Sequence, residues 1–159
     1  MDLGLSPRQE IFRDMVRDFA ETEVAPRAAA VDAEARFPAQ TIRMMGALGL
    51  MGVAIPEEYG GAGADTICYV IAIEEISRAC ASTGVIMSIN NSMVCDLVHK
   101  FGDERQKRRF LIPLARGEQL GCFCLSEPVA GSDAGNLRVT ALAEGDHFVL
   151  NGVKNFITN

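Results

Sequence analysis

The chain has no tryptophan, only two tyrosines and two histidines, no surplus of basic charge and no long apolar run. Each shortage closes a class of function. Its 15 Lys and Arg stand against 21 Asp and Glu, a net charge of −6. No basic surface of the size that displaces counterions from a phosphate backbone can be built from that balance, which excludes nucleic acid as a partner. The one basic run, Arg105-Gln106-Lys107-Arg108-Arg109, reads as the solvated face of a short helix, with an anion site as the alternative. No stretch approaches the roughly 20 apolar residues that cross a bilayer, so no membrane span is expected. Met1 to Leu5 has no charged segment leading into an apolar one, hence no secretory signal. The expected setting is a bacterial cytoplasm, or a mitochondrial matrix if the source is eukaryotic.

The five cysteines, Cys68, Cys80, Cys95, Cys122 and Cys124, have no metal-ligand spacing. An odd count also argues against a disulfide scaffold. Cys122 and Cys124 alternate as on one face of a strand and read as small buried hydrophobes, since neither His99 nor His147 lies near them in sequence. What is present is a globular composition, 48% hydrophobic and 23% charged. That is enough for one core, or one core with a small appendage, and too apolar for wholesale disorder.

Helical signals fill residues 6 to 121. Ser6-Pro7-Arg8-Gln9 opens a helix with a capping box, and Ile11, Phe12, Met15, Val16, Phe19 and Ala20 form its apolar stripe. Pro26 bends or ends it. Short helices are expected over 28–35 and from Pro38, the latter ended by Gly49 in a left-handed conformation. Gly52 to Pro56 reads as extended. Glu58-Tyr59-Gly60-Gly61-Ala62-Gly63-Ala64 reads as a tight turn rather than a phosphate loop, because no Gly-Lys-Ser/Thr follows. Asp65 caps a helix over 66–78 whose run from Ile67 to Ile73 is apolar nearly all round, as for a central buried helix. Glu74 and Glu75 point about 100° apart on it and make no catalytic pair by themselves. A further helix over 82–101 carries the stripe Val85, Ile89, Met93, Leu97 and Phe101. Gly102 ends it, Asp103 and Gln106 box the next, and Pro113 closes that one.

Near Gly121 the period changes to two. Strands are expected over 122–125, 138–144 and 147–150, with a turn at Gly145-Asp146. Asn151-Gly152 then signals a hairpin into 153–158. The fold class is mainly α within α+β: an antiparallel helical bundle over 1–121, then the opening strands of an antiparallel β-domain over 122–159, incomplete as it stands. An unprotected strand edge is the liability of such an arrangement.

Four blocks resemble the acyl-CoA dehydrogenase family, most closely its short-chain (butyryl-CoA) branch. They are Leu48-Gly49-Leu50-Met51-Gly52 with Pro56-Glu57-Glu58-Tyr59-Gly60-Gly61-Ala62-Gly63; Glu74-Glu75-Ile76-Ser77-Arg78 running into Ser82-Thr83-Gly84-Val85-Ile86-Met87-Ser88; Phe101-Gly102-Asp103-Glu104-Arg105-Gln106-Lys107; and Leu125-Ser126-Glu127-Pro128 with Ala130-Gly131-Ser132-Asp133. The likeness covers essentially the whole chain in order, and the last block is the most specific.

The resemblance implies FAD as cofactor and an acyl-CoA thioester as substrate. A carboxylate takes the α-proton while a hydride leaves the β-carbon for flavin N5, giving a trans-2-enoyl-CoA, and electron-transferring flavoprotein takes the electrons. It also implies a homotetramer in the full-length family. The cofactor-binding residues it implies are Phe123, Leu125 and Ser126 along the flavin's pyrimidine edge, where negative charge develops on reduction and N–H and O–H donors stabilise it, together with Cys124 and Glu127 of the same segment. Ser126 keeps the hydroxyl of the threonine found in many relatives. Gly131 admits a close backbone approach. Ser132 is implied to bind both FAD and the pantetheine arm of the substrate. Phe156, Ile157 and Thr158 complete the set, Thr158 as the hydroxyl partner of N5. Phe156 stands where the family usually has tryptophan, offering an aromatic face with less area and no indole donor. Packing among strands is the alternative for Phe123 and Phe156 taken singly. Ile86, Ile89, Asn90 and Met93 could tune acyl-chain length, or simply pack the core.

The family's catalytic base lies on a C-terminal helical domain, and no glutamate of this chain matches it. The expectation is therefore a fragment that carries part of a cofactor site, has no catalytic residue of its own and is inactive alone. Two alternatives stay open. One is acyl-CoA oxidase chemistry, which differs in oxygen access to the reduced flavin. The other is a non-catalytic helical module that associates with a full-length relative or a separate C-terminal half.

Overall fold

In the computed structural model, residues 4–159 are described; the reading of Met1 to Leu3 as lacking a leader falls outside them. The described chain divides into two compact units, up to Gly121 and from Cys122 onward.

The first unit is helical. Helix α1 (Pro7–Phe19) starts as its sequence dictates: the Ser6 hydroxyl accepts from Gln9 N–H and Gln9 Oε1 accepts from Ser6 N–H, so two orphan donors are satisfied reciprocally. Pro26 does not end this rod. A π-helical turn, Ala20–Val24, intervenes, and α2 (Ala25–Ala33) continues with Pro26 in its first turn. A proline ring inside a helix collides with the carbonyl four residues earlier, and the wider turn relieves that collision. Helix α3 (Ala39–Ala47) follows, and Gly49 takes φ 74° at its exit. Residues 50–64 are not extended. They hold two short 3-10 turns, Leu50–Gly52 and Glu57–Tyr59, and fold back so that Ala62, Gly63 and Ala64 N–H groups donate to Gly52, Ile55 and Val53 carbonyls. Gly61 sits so close in this return that a Cβ there would lie 2.1 Å from the Ile55 oxygen. These amides are consumed internally, so the glycine cluster serves chain reversal and offers phosphate nothing.

Helix α4 (Thr66–Ala79) is capped by Asp65, whose Oδ1 accepts from Cys68 N–H at 2.8 Å and whose Oδ2 accepts from Gln9 Nε2 at 2.8 Å. It is not buried all round: Cys68, Ile71, Ala72 and Ile76 face the core while Ile67 and Val70 are exposed. Helix α5 (Ala81–Ser88), a π-helical stretch (Ile89–Cys95) and α6 (Asp96–Phe101) make one continuous rod. The Val85, Met93, Leu97 and Phe101 stripe lies on its exposed side; the buried side carries Thr83, Gly84, Ile86, Met87, Asn90, Asn91 and Cys95. Helix α7 (Glu104–Gln106) has the expected Asp103 and Gln106 box, then leads through a π-helical turn into α8 (Ile112–Ala115), so Pro113 begins this last segment rather than closing it.

The amides of Asn90 and Asn91 explain how polar residues hold the centre. Asn90 Nδ2 donates to Met51 and Leu114 carbonyls at 2.9 and 3.1 Å, and its Oδ1 accepts from Gly121 N–H at 3.0 Å. Asn91 Nδ2 donates to Leu50 and Met87 carbonyls, and its Oδ1 accepts from Val53 N–H at 2.8 Å. Both tie the 50–53 turn to the long rod without leaving a buried polar group unpaired, which keeps their burial tolerable. Around them, Val16, Met45, Leu50, Met51, Val53, Ile76 and Met87 form the main core, and Ile55, Leu111, Leu114 and Cys95 form a smaller one. Glu75 is also buried, with its carboxylate paired to Arg17 at 2.5 Å and to Arg78 at 3.2 Å, while its neighbour Glu74 is exposed.

The second unit carries two strands among the described residues, β1 (Thr140–Glu144) and β2 (His147–Asn151), paired antiparallel from Thr140 opposite Asn151 to Glu144 opposite His147. Gly145, with φ 65°, is the first central residue of the turn between them. Both strands are exposed on both faces. The segments 122–125 and 153–158 join no ladder, correcting the expectation of strands there: Leu125 N–H turns back to the Phe123 carbonyl, and Phe156 takes a left-handed conformation. Asn151-Gly152 is the end of the hairpin rather than its turn. Gly152 passes so close to Val139 that a Cβ would meet its Cγ2 at 2.5 Å, which sends the chain away from β2.

Candidate functional site

Residues 125–139 and 153–155 are organised by one carboxylate. Glu127 is buried, and its Oε2 accepts from Arg138 N–H at 2.6 Å while Oε1 accepts from Val139 N–H at 3.1 Å and from Lys154 Nζ at 2.8 Å. Lys154 Nζ also donates to the Leu125 carbonyl at 2.9 Å, and Asn155 N–H donates to the Ser126 carbonyl at 2.9 Å. Glu127 and Ala130 exchange N–H to O=C bonds at 2.8 and 3.1 Å, closing the Glu127-Pro128-Val129-Ala130 turn. The Lys154 ammonium first, and then the Arg138 amide, hold the Glu127 carboxyl below the usual carboxylate range.

This clamp joins the chain segments that adjoin three of the sequence-predicted pieces. Cys122 to Ser126 enters it, Gly131 and Ser132 leave it directly after Ala130, and Phe156 to Thr158 follow Asn155. Glu127 itself is not free to face a ligand, since three donors occupy its oxygens. Phe123, Cys124, Gly131 and Ser132 are exposed, and Leu125, Ser126, Ile157 and Thr158 half-buried. Phe156 is 97% exposed and held at φ 55°, a left-handed conformation that a phenylalanine rarely adopts. A depression in this unit is lined by Glu127, Pro128, Val129, Arg138, Val139, Gly152 and Val153, of which Glu127 alone belongs to the predicted set.

The donor chemistry is nevertheless specific. The N–H groups of Phe123, Cys124 and Ser126 donate to no protein acceptor among the described residues, and neither do the hydroxyls of Ser126, Ser132 and Thr158. Nothing lies within 4 Å of where a Cβ on Gly131 would sit, and its φ is not positive. The glycine is required neither by packing nor by its backbone, which leaves open space beside it. A backbone with unpaired donors and short hydroxyls can accept an electron-rich, planar hydrogen-bonding edge. No group of three or more His, Cys, Asp or Glu converges among the described residues.

Cys122 and Cys124 are exposed, not buried small hydrophobes, and their sulfurs stand 3.6 Å apart. Of the residues considered for acyl-chain length, Asn90 is fully occupied by the backbone bonds above, Ile86 is buried, Ile89 half-buried and Met93 exposed. Sequence reasoning missed Lys154 and Asn155. The only signal was a lone lysine in an otherwise apolar and polar-neutral run, Val153 to Thr158, which reads as solubility rather than as the counter-ion of a glutamate 27 residues earlier.

Comparison with known proteins agrees in both units. The acyl-CoA dehydrogenase N-terminal domain matches residues 6–118, and the middle domain of the same family matches residues 122–159. The short-chain specific acyl-CoA dehydrogenase of Clostridium acetobutylicum is 49% identical over 159 residues, covering 100% of this chain and 42% of that protein. The mitochondrial short-chain specific acyl-CoA dehydrogenase of Homo sapiens is 57% identical over 143 residues, 90% of this chain and 35% of that protein. The butyryl-CoA dehydrogenase structure from Megasphaera elsdenii superposes with a TM-score of 0.92 at 35% identity, covering 99% of this chain and 42% of that one. The chain thus spans about two fifths of the length of relatives such as the Clostridium enzyme.

Proposed function

The chain belongs to the acyl-CoA dehydrogenase family, and from that premise we propose that it supplies the flavin-edge portion of an FAD-dependent dehydrogenase acting on a short-chain acyl-CoA. Residues 1–121 are then the N-terminal helical domain and 122–159 the first part of the middle β-domain. The observation that supports the reading is the Glu127 clamp, which ties the segment bearing the unpaired N–H groups of Phe123, Cys124 and Ser126 to Lys154 and Asn155, three residues before Thr158. When bound, FAD would supply the two-electron acceptor for α,β-dehydrogenation to a trans-2-enoyl-CoA.

The chain's own part is binding and electrostatics. Phe123, Cys124 and Ser126 would hold the pyrimidine edge through backbone N–H groups and the Ser126 hydroxyl, stabilising negative charge as it develops there, while Leu125, whose own N–H donates to the Phe123 carbonyl, would line it. The open space at Gly131 would admit the cofactor, and the Ser132 hydroxyl would reach both FAD and the pantetheine arm. Thr158 would donate to the flavin ring beside Ile157, and the Phe156 ring would cover it. Glu127 contributes as the organiser of this set rather than as a direct ligand. Neither buried carboxylate suits proton abstraction. Glu75 and Glu127 are both held ionised below the ordinary range by Arg17 and by Lys154, with their oxygens occupied. No catalytic base is therefore assigned among these residues, and the 159-residue polypeptide by itself is expected not to turn over butyryl-CoA.

Electron-transferring flavoprotein as acceptor, a homotetramer as the assembly, and a bacterial cytoplasm or mitochondrial matrix as the setting complete the proposal on family grounds. The test is a flavin fluorescence titration with the purified chain. Saturable quenching is expected, weakened about tenfold by Ser126→Ala or Thr158→Ala, each a lost hydrogen bond of about 1.4 kcal/mol. Absence of any change on adding the chain would overturn the reading.

A second reading is association with a complementary polypeptide. It is favoured by Leu142, Phe148, Leu150, Val153 and Phe156, all largely exposed on a unit with no core of its own. A sharp, strictly monomeric boundary in sedimentation would count against it.

A further inference from the structure

The thiol pair in Cys122-Phe123-Cys124 differs from the other cysteines in a way that flavin binding does not explain. Cys68 and Cys95 are buried, and burial pushes the Cys95 thiol up to about 12, so it is inert at neutral pH. Cys80 is half-buried and packs against the main core. Cys122 and Cys124 are both exposed, and their Sγ atoms are 3.6 Å apart, each the other's hydrogen-bond partner. On a flat strand, alternate residues are about 6.6 Å apart along the chain. This segment is not a flat strand. It joins no ladder, and Leu125 N–H donates back to the Phe123 carbonyl at 3.2 Å, a three-residue turn. The bend leaves the two sulfurs near each other, with no inter-strand hydrogen bond for further approach to break.

We propose that Cys122 and Cys124 form a redox-active dithiol that closes to an intrachain disulfide, with a low-molecular-weight disulfide such as oxidised glutathione as the oxidant. The Cys122 thiol is held up first by its hydrogen bond with Cys124, so deprotonated Cys124 attacks one sulfur of the oxidant, forming a protein mixed disulfide and releasing one glutathione thiolate. The neighbouring cysteine, losing its proton, then attacks the protein-side sulfur and releases the second glutathione thiolate. The two thiols are oxidised by two electrons, the oxidant is reduced to two thiols, and the two protons pass to them. Closure brings the sulfurs from 3.6 Å to the bonded distance of about 2.04 Å. It would pin the backbone around Phe123; any consequence for FAD rests on the function proposed above, whereas closure itself does not.

The test needs no cofactor. The native 159-residue chain is incubated with oxidised glutathione, free thiols are alkylated, and the cysteine peptides are weighed. The 122–124 peptide should lose the mass of two hydrogens and take up neither glutathione nor alkylating agent. In Cys122→Ser and Cys124→Ser the remaining thiol should instead keep one glutathione, because no partner resolves it. Cys68 and Cys95 should alkylate only after unfolding. Stable glutathione on both thiols of the unaltered chain, closure with Cys80 or between chains, or no reaction at all would each overturn the proposal.

Discussion

Glu127 shows how much one residue can decide. Four residues on either side of the candidate site, Leu125, Arg138, Val139 and Lys154, are fixed in place by its carboxylate or by its counter-ion. Its folded pKa is lowered, first by the Lys154 hydrogen bond and then by the Arg138 amide. A carboxyl with a depressed folded value contributes its stability fully above the unfolded value, about 4.3 for a glutamate. That contribution is lost as the pH falls through the depressed one. The clamp should therefore survive mild acid and open below the ordinary carboxylate range. Amide shifts of Arg138 and Val139 should titrate together with a midpoint under about 4.3, and Glu127→Gln should abolish that titration. A midpoint at or above the ordinary value would mean the carboxylate is not held as described. None of this was legible in the sequence. Ser126-Glu127-Pro128 marked the place, but a glutamate that binds a ligand and one that binds its own backbone look the same until its donors are seen.

At the scale of elements, signals that are local in the chain translated well. Both capping boxes, the Asp65 cap, the left-handed Gly49 and the Gly145 turn depend on contacts within a few residues, and all formed. Signals that depend on what lies opposite did not. The stripe through Val85, Met93, Leu97 and Phe101 has helical period, yet the rod buries its other side, because Asn90 and Asn91 find backbone partners there and Gly84 allows α4 to come close. Hydropathy cannot register a satisfied asparagine. Likewise, alternation from Cys122 to Thr158 marked the strands that formed, Thr140–Glu144 and His147–Asn151, but not which segments pair, so two expected strands have no ladder. The α4–α5 contact makes the glycine testable. A Cβ at position 84 would lie 2.0 Å from Ser77 Oγ and 3.1 Å from Ser77 Cα. The serine hydroxyl can rotate aside but its backbone cannot. Gly84→Ala should cost about 1–3 kcal/mol in urea unfolding. The pair Gly84→Ala with Ser77→Ala should recover little of it, because the Ser77 Cβ and Cα, 3.0 and 3.1 Å from the added methyl, stay in place; full recovery would put the strain on the hydroxyl instead.

At the scale of the whole molecule, the two units differ in what holds them together. The helical unit has two apolar clusters and buried amides with every partner satisfied. The second has one hairpin exposed on both faces, and an isolated pair of strands is marginal in water. Its order comes from the polar clamp at Glu127 more than from apolar burial, and hydrogen bonds of that kind contribute only modest net stability, because the same groups are bonded to water in the unfolded chain. The chain's shortage of aromatics makes the difference measurable. With no tryptophan, intrinsic fluorescence comes from Tyr59 and Tyr69, both in the helical unit. Tyr59 is buried and Tyr69 half-buried, with its hydroxyl against Ser88. Urea should thus give one cooperative transition by tyrosine fluorescence, reporting the helical unit alone. Amide exchange should show the 140–151 ladder already opening in water, orders of magnitude faster than α1 or α4, because its opening needs no apolar surface to be exposed. Added FAD, if it binds the donors of 123–126 and Thr158, should slow exchange in the second unit while leaving the tyrosine transition unmoved, since a ligand stabilises only what unfolds with its site. Equal protection in the two units without any ligand would show that apolar contacts, not the clamp, hold residues 122–159.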